Sequence, residues 1–308
     1  MTRKSAIAIT CTALIAVATA MGLLYAIMFN RLKNKNFTGS QPFEQTAGWC
    51  TIETLVNGQP TRAIFDTAAG LCLIDSSTAV AMDIKPMPII RIPINHKDLA
   101  RLGIIKELRI GPAMLRNVPA IISPIPQNGP IMQAASFIMG INIIKRLNWD
   151  FDFDRLTVTI SSNALAPNES ANAVQLSRWG IPKVEFNVMP KRTERTILDF
   201  GSTSTITLPI THAAVQPTTL DCTVRHNIHG QYTRVQYDMS NDICLGNDTL
   251  RDVRITYTDD PPPLVGLGLI RRYRRCILNF SSHEMLLMPP CHNQLNTNNI
   301  TTKTDREA

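Results

Sequence analysis

The chain is written twice, and that duplication limits what it can fold into more than any other feature of its 308 residues. AIFDTAAGLCLID, Ala63 to Asp75, sets an Asp between an apolar run and a small-residue turn. RTILDFGSTSTITL, Arg195 to Leu208, does the same, and its Asp199 stands 133 residues after Asp66. Downstream, LRIGPAMLRNVPAII, Leu108 to Ile122, pairs with ICLGNDTLRDVRITY, Ile243 to Tyr257, through Gly111 and Gly246 at an offset of 135. FIMGINIIKRLNWDFDFDRLTVTI, from Phe137, then aligns with LVGLGLIRRYRRCILNFSSHEMLLM, from Leu264, with Gly140 and Gly266 at 126 and Phe153 and Phe280 at 127. Three matches in one order at nearly constant offset define a repeated unit. Each copy reads as a strand, an Asp turn and a strand, then a β-hairpin about a Gly, then two apolar residues and a Gly leading a short helix and a closing strand. The expected fold class is mainly β.

The length suits two domains of ordinary size. The boundaries read as a membrane anchor with basic flanks over 1–35, a juxtamembrane linker over 36–44, a first lobe over 45–161, a linker over 162–174, a second lobe over 175–290 and a disordered tail over 291–308. The second linker is rich in Ser, Asn, Ala and Pro and has no hydrophobic period. The tail, HNQLNTNNITTKTDREA after Cys291, is too polar to bury a core. SAIAITCTALIAVATAMGLLYAIMF, Ser5 to Phe29, has no charged residue and is long enough to cross a bilayer as a helix. A cleaved signal peptide is the competing reading, since Ala18-Thr19-Ala20 resembles a cleavage site, but apolar residues continue beyond it. Arg3 and Lys4 on one side nearly balance Arg31, Lys33 and Lys35 on the other. The short leading segment favours a single-pass protein with its body on the periplasmic or extracellular side.

The net charge of +7 is dispersed, with no long Lys/Arg run and few aromatics, which argues against a nucleic-acid partner. Outside the apolar segment, Cys50, Cys72, Cys222, Cys244, Cys276 and Cys291 allow fifteen pairings, and their spacing selects none. They show no paired metal spacing, so neither metal nor cofactor is expected. His226 and His229, in HNIHG, read as solvated loop residues. Asp150, Asp152 and Asp154, in WDFDFD, read as the solvated face of a closing strand rather than a metal cluster. Arg271 to Arg275, RRYRR, reads as the solvated face of the short closing helix. Asp199-Phe200-Gly201 spells a kinase metal-binding tripeptide, but no accompanying catalytic or phosphate-binding loop precedes it.

A lone Asp-Thr is most simply a surface turn. Two equivalent Asp turns change its meaning, because a two-copy fold brings both carboxyls to one axis. Carboxylates about 3 Å apart cannot both ionise, so they share a proton, one acting as general acid while the other activates water. These segments resemble the retropepsin-like aspartic proteases over most of Thr51 to Met288, with two such lobes fused in one polypeptide as in the pepsin arrangement. The resemblance implies a bilobal acid-protease fold, Asp66 and Asp199 as the catalytic pair, a peptide or protein substrate and self-sufficiency as a monomer. It also implies that Gly140 and Gly266 pack behind the Asp turns; it does not assign the substrate-covering flaps, for which the stretches before the Gly111 and Gly246 hairpins are candidates.

The dyad-supporting positions are Thr67, Ala68 and Ala69 in the first turn and Phe200, Gly201 and Ser202 in the second. Ala68 stands where the family has Gly, so its methyl is expected to crowd the pair. Phe200 replaces a Thr or Ser whose hydroxyl bonds across to the other lobe, leaving Thr67 to find another partner. Ser202 is expected to support an outer carboxylate oxygen. The sequence therefore carries two readings, a membrane-anchored aspartic endopeptidase and a protease-like body that binds a peptide or partner without cleaving it.

Overall fold

A computed structural model describes residues 31–93, 99–189, 192–213, 221–227, 230–259 and 262–289. Residues 1–30 of the expected anchor and the polar tail lie outside these residues, as do Cys11, Cys291 and His229, while Arg31 and Leu32, expected as the anchor's basic flank, form a strand paired with Arg116 and Leu115. Among the described residues no helix is long and apolar enough to cross a membrane.

The chain is mainly β. The first repeat runs β1 (Arg31–Leu32), β2 (Thr38–Thr46), β3 (Trp49–Val56), β4 (Gln59–Phe65), β5 (Cys72–Asp75), β6 (Pro86–Pro93), β7 (Leu99–Ile110), β8 (Ala113–Ser123), β9 (Phe137–Met139), β10 (Asn148–Asp152) and β11 (Thr157–Ser161). The second runs β12 (Asn172–Gln175), β13 (Lys183–Val188), β14 (Arg192–Asp199), β15 (Ile206–Pro209), β16 (Asp221–Asn227), β17 (Gly230–Leu245), β18 (Asp248–Thr258), β19 (Leu264–Gly266), β20 (Arg275–Asn279) and β21 (Glu284–Met288). Short helices at Ser76–Ala81, Pro130–Ala134, Ile141–Ile144 and Leu267–Ile270 interrupt the strands.

Strand character follows from alternation. Lys183–Val188, KVEFNV, buries Val184, Phe186 and Val188 and exposes the residues between them. The two tight turns sit at Gly111 and Gly246, both with left-handed backbone (φ 51° and 59°), which glycine adopts without a Cβ penalty. They close the β7–β8 and β17–β18 hairpins that the alternation predicts.

Pairing repeats as the sequence does. In the first copy β4 lies parallel to β9, with Ala63 opposite Phe137 and Phe65 opposite Met139, while β5 runs antiparallel to β9 and parallel to β8. In the second copy β14 lies parallel to β19, with Asp199 opposite Gly266, while β15 runs antiparallel to β19 and parallel to β18. Asp199 therefore ends, and Asp66 directly follows, a strand flanked by the apolar-apolar-Gly segment of its own repeat.

The copies are joined by a run of strands in the order β12, β21, β20, β10, β11, β2, three from each repeat. At its centre β10 and β20 pair antiparallel, Trp149 opposite Leu278. A continuous hydrophobic core extends from Phe43 and Phe65 through Trp149 and Phe151 to Phe200, Val265 and Leu287.

Four expectations are corrected. Residues 36–44 do not act only as a linker: Thr38–Thr46 is β2, paired with β11 and β3, because Phe43 has a core site to fill. The second linker ends early, since β12 begins at Asn172, whose side chain bonds Leu245 O at 2.7 Å and Asp248 at 2.9 Å. Asp150 is not solvated. It is 5 % exposed and takes a two-pronged bond from Arg275, Nε to Oδ1 at 2.7 Å and Nη2 to Oδ2 at 2.5 Å. RRYRR is likewise no solvated helical face: the helix stops at Ile270, Tyr273 is buried, and Arg275 lies in β20. Arg274 meets Glu169, and Arg272 reaches the carbonyls of Arg251 and Asp252.

Candidate active site

The two Asp turns are built alike. Asp66 leaves β4 with its N–H on Met139 O at 3.1 Å, and the Ile141 N–H, one residue beyond Gly140, donates to Ala69 O at 2.8 Å. In the second copy the Leu267 N–H, one residue beyond Gly266, donates to Ser202 O at 2.8 Å. Ala69 and Ser202 each stand three residues after their Asp, so the same bond fastens both turns to the element behind them.

That element needs its glycine for closeness. A Cβ on Gly140 would fall on the Leu71 carbonyl and the Cys72 nitrogen, and one on Gly266 would fall on the carbonyl of Ser204. Neither residue has positive φ, so the requirement is space rather than backbone conformation.

Each carboxyl is held by its own turn. Asp66 Oδ1 accepts from the N–H groups of Ala68 and Ala69, both at 2.9 Å. Asp199 Oδ1 accepts from the Gly201 N–H at 2.8 Å. The turns also touch one another: a Cβ on Gly201 would land on the Asp66 carboxyl group.

Thr67, fully buried, fixes this juxtaposition. Its hydroxyl donates to Leu198 O at 2.5 Å and accepts from the Phe200 N–H at 3.0 Å, so one side chain of the first repeat grips the main chain on both sides of Asp199. The hydroxyl missing at position 200 therefore does not leave Thr67 unpaired, because backbone groups supply its partners.

Phe200 points into the core instead. Its ring meets Phe65 edge-on at 5.5 Å and Phe151 at 5.6 Å, and it is fully buried. Burying such a ring contributes about 1.5–3 kcal/mol, so the side chain at 200 adds apolar packing between the repeats and no second polar bond.

Ser202 departs from expectation. Its hydroxyl pairs with that of Ser204 at 2.7 Å rather than with a carboxylate, because the local turn offers a nearer partner. Ala68 has no left-handed backbone to strain, so the only cost of replacing Gly there is the volume of its methyl.

The site is electrostatically tense. Burial pushes the Asp66 carboxyl above its ordinary value, against the N–H groups of Ala69 and Ala68. Burial, and then the neighbouring Asp66 charge, push Asp199 up to about 7, against the N–H groups of Gly201 and Ser202. Both carboxyls are thus raised together, as burial and a like neighbouring charge require. Among the described residues no group of His, Cys, Asp and Glu is arranged to hold a metal ion.

Two positions near the turns have no counterpart in the sequence reading. Trp49, at the start of β3, donates its indole N–H to Gly201 O at 2.7 Å across the repeats. Asn142, behind Asp66, accepts from the Cys72 N–H at 2.9 Å and donates to Pro119 O at 3.1 Å. A polar residue inside the apolar run INII is the one sequence signal for Asn142. Trp49 had none, since its partner lies 152 residues away.

Residues 52–143, which contain the Asp66 turn and Gly140, match the family model described as "Aspartyl protease". That match supports an aspartic protease acting on peptide or protein substrates. No curated protein matches the chain.

Proposed function

We propose that the protein is an aspartic endopeptidase in which two lobes of one chain, 38–161 and 172–288, each contribute a carboxyl, Asp66 and Asp199, to one shared dyad. The observation that carries this reading is the interlock of the turns, with Gly201 set against the Asp66 carboxyl and Thr67 bonded to the backbone on both sides of Asp199. The match to an aspartyl protease family over the first Asp turn supports it further.

In this mechanism the ionised carboxyl removes a proton from a water held between the pair. The water oxygen attacks the peptide carbonyl carbon while the protonated carboxyl gives its proton to the carbonyl oxygen. As the C–N bond breaks, the dyad's protonated carboxyl gives its proton to the leaving amine while a hydroxyl of the tetrahedral intermediate returns a proton to the other carboxyl and becomes the new acid's carbonyl. The enzyme finishes in the proton state in which it began. Peptides bind extended, pairing main chain with the β6–β7 and β16–β17 hairpins as flaps. The apolar segment 5–29 tethers the body to a membrane, with the body on the outer side, and one chain suffices for activity.

The test is cleavage of a diverse peptide pool by the full-length chain from pH 3 to 8, beside Asp66→Asn and Asp199→Asn. Cleavage by the parent and a loss of at least about a hundredfold in both variants is expected. A folded parent that cuts nothing would contradict the reading and favour the peptide-binding alternative, with the methyl of Ala68 and the ring of Phe200 as the physical reason.

A further inference from the structure

Gly201 is engaged through both of its peptide units. Its N–H donates to Asp199 Oδ1 at 2.8 Å, and its C=O accepts from the Trp49 indole at 2.7 Å. That carbonyl shares a peptide bond with the Ser202 N–H, which donates to the Asp199 main-chain carbonyl at 3.3 Å and so closes the turn that presents the carboxyl. Hydrogen bonds in series polarise one another, so an indole N–H on the Gly201 oxygen strengthens the Ser202 bond that closes the turn and keeps the Gly201 N–H on the carboxylate.

Trp49 is well held for this task. It follows the Ala47-Gly48 turn, both residues with positive φ (51° and 90°), and a Cβ on Gly48 would run into the Thr203 side chain. Its ring packs on the cluster of Ile64, Leu73 and Ile138 beside the Asp66 turn. The bond therefore runs from the rigid floor of one turn to the backbone of the other.

It also meets a need that the Phe200 substitution creates. Thr67 grips the second turn at Leu198 and Phe200, before Gly201, and the Phe200 side chain has no hydroxyl to grip back. Beyond Gly201, Ser202 spends its hydroxyl on Ser204.

We propose that Trp49 is a positioning residue for the dyad: its indole N–H, reaching from the first repeat to the Gly201 carbonyl, holds the Asp199 turn in register with Asp66 in place of the missing hydroxyl clamp at Phe200. The kinetic consequence rests on the aspartic-peptidase reading; the hydrogen bond and its effect on Asp199 do not.

The test is Trp49→Phe, which keeps an aromatic ring in the cluster and removes the N–H. In the full-length protein kcat should fall about tenfold, the worth of one such bond, with KM changed less than about twofold. The basic limb of the pH profile should move up by about half a unit, because a carboxylate that loses donor strength holds its proton more tightly. A merely structural role would lower the thermal midpoint and leave the pH profile in place, and that result overturns the proposal. So does unchanged kcat with an unchanged profile.

Should the parent cleave nothing, the function fails and the positioning role is still read. The Asp199 carboxyl carbon, followed by NMR in parent and Trp49→Phe, should titrate about half a unit higher in the variant. Coincident titrations overturn the role whatever the activity.

Discussion

Phe200 and Gly201 show how one turn can lose a hydroxyl and keep its geometry. The ring at 200 trades a polar clamp for packing on Phe65 and Phe151, while Gly201 leaves room for the opposing carboxyl. Gly201→Ala has no backbone strain to relieve or create, so its whole effect is the collision of a methyl with Asp66. It should cost about 1–3 kcal/mol of stability by denaturant titration and remove cleavage, since Asp66 must move. The proton inventory gives a second residue-scale prediction. Asp199 has a folded value raised to about 7, so its contribution to stability is fully present below the ordinary carboxylate range and is lost as pH rises through 7. Asp199→Asn should therefore raise the thermal midpoint at pH 8 and change it little at pH 4. Asp75 runs the other way. Burial opposes its ionisation, but the Ile125 N–H, the Ser77 hydroxyl and the N–H groups of Thr78 and Ser77 overcome that and hold its carboxyl below the usual range. Its contribution is present at neutral pH and lost as pH falls through its depressed folded value, so Asp75→Asn should destabilise the protein at pH 7 more than under strongly acid conditions, by thermal scans at both pH values.

Elements were legible where a periodic pattern or a repeated residue marked them. The alternation in Leu108 to Ile122 and Ile243 to Tyr257 gave both hairpins, and the placement of Gly140 and Gly266 gave the elements that back the two turns. What escaped was pairing between elements remote in sequence. Asp150 alternates with Trp149 and Phe151 as a solvated residue would, yet β10 lies at the centre of the shared sheet and both its faces are covered. The partner that makes its burial tolerable, Arg275, is 125 residues away and sits in a run of arginines that looks like surface. Removing that partner leaves a buried carboxylate uncompensated, so Arg275→Ala should cost about 3–5 kcal/mol by denaturant titration, far more than loss of an exposed arginine. β2 escaped for a similar reason: TGSQPFEQT is polar at most positions, and only Phe43 enters the core.

At the scale of the whole molecule the duplication explains the site. Two copies of one pairing scheme, joined through three strands apiece, bring the Gly201 turn against the Asp66 carboxyl. The departures are unequal between the copies, Ala for Gly in one and Phe for a hydroxyl in the other, and the bonds from Thr67 and Trp49 both run from the first repeat to the second. The pair is thus symmetric in its strands and asymmetric in its support. The measurement that tests this account most directly is the titration of the Asp199 carboxyl carbon by NMR in the parent and in Asp66→Asn. If the two carboxyls form one unit, removing the Asp66 charge lowers the Asp199 midpoint by about one unit or more. An unchanged midpoint would mean that the two turns do not share a proton, and would contradict the dyad.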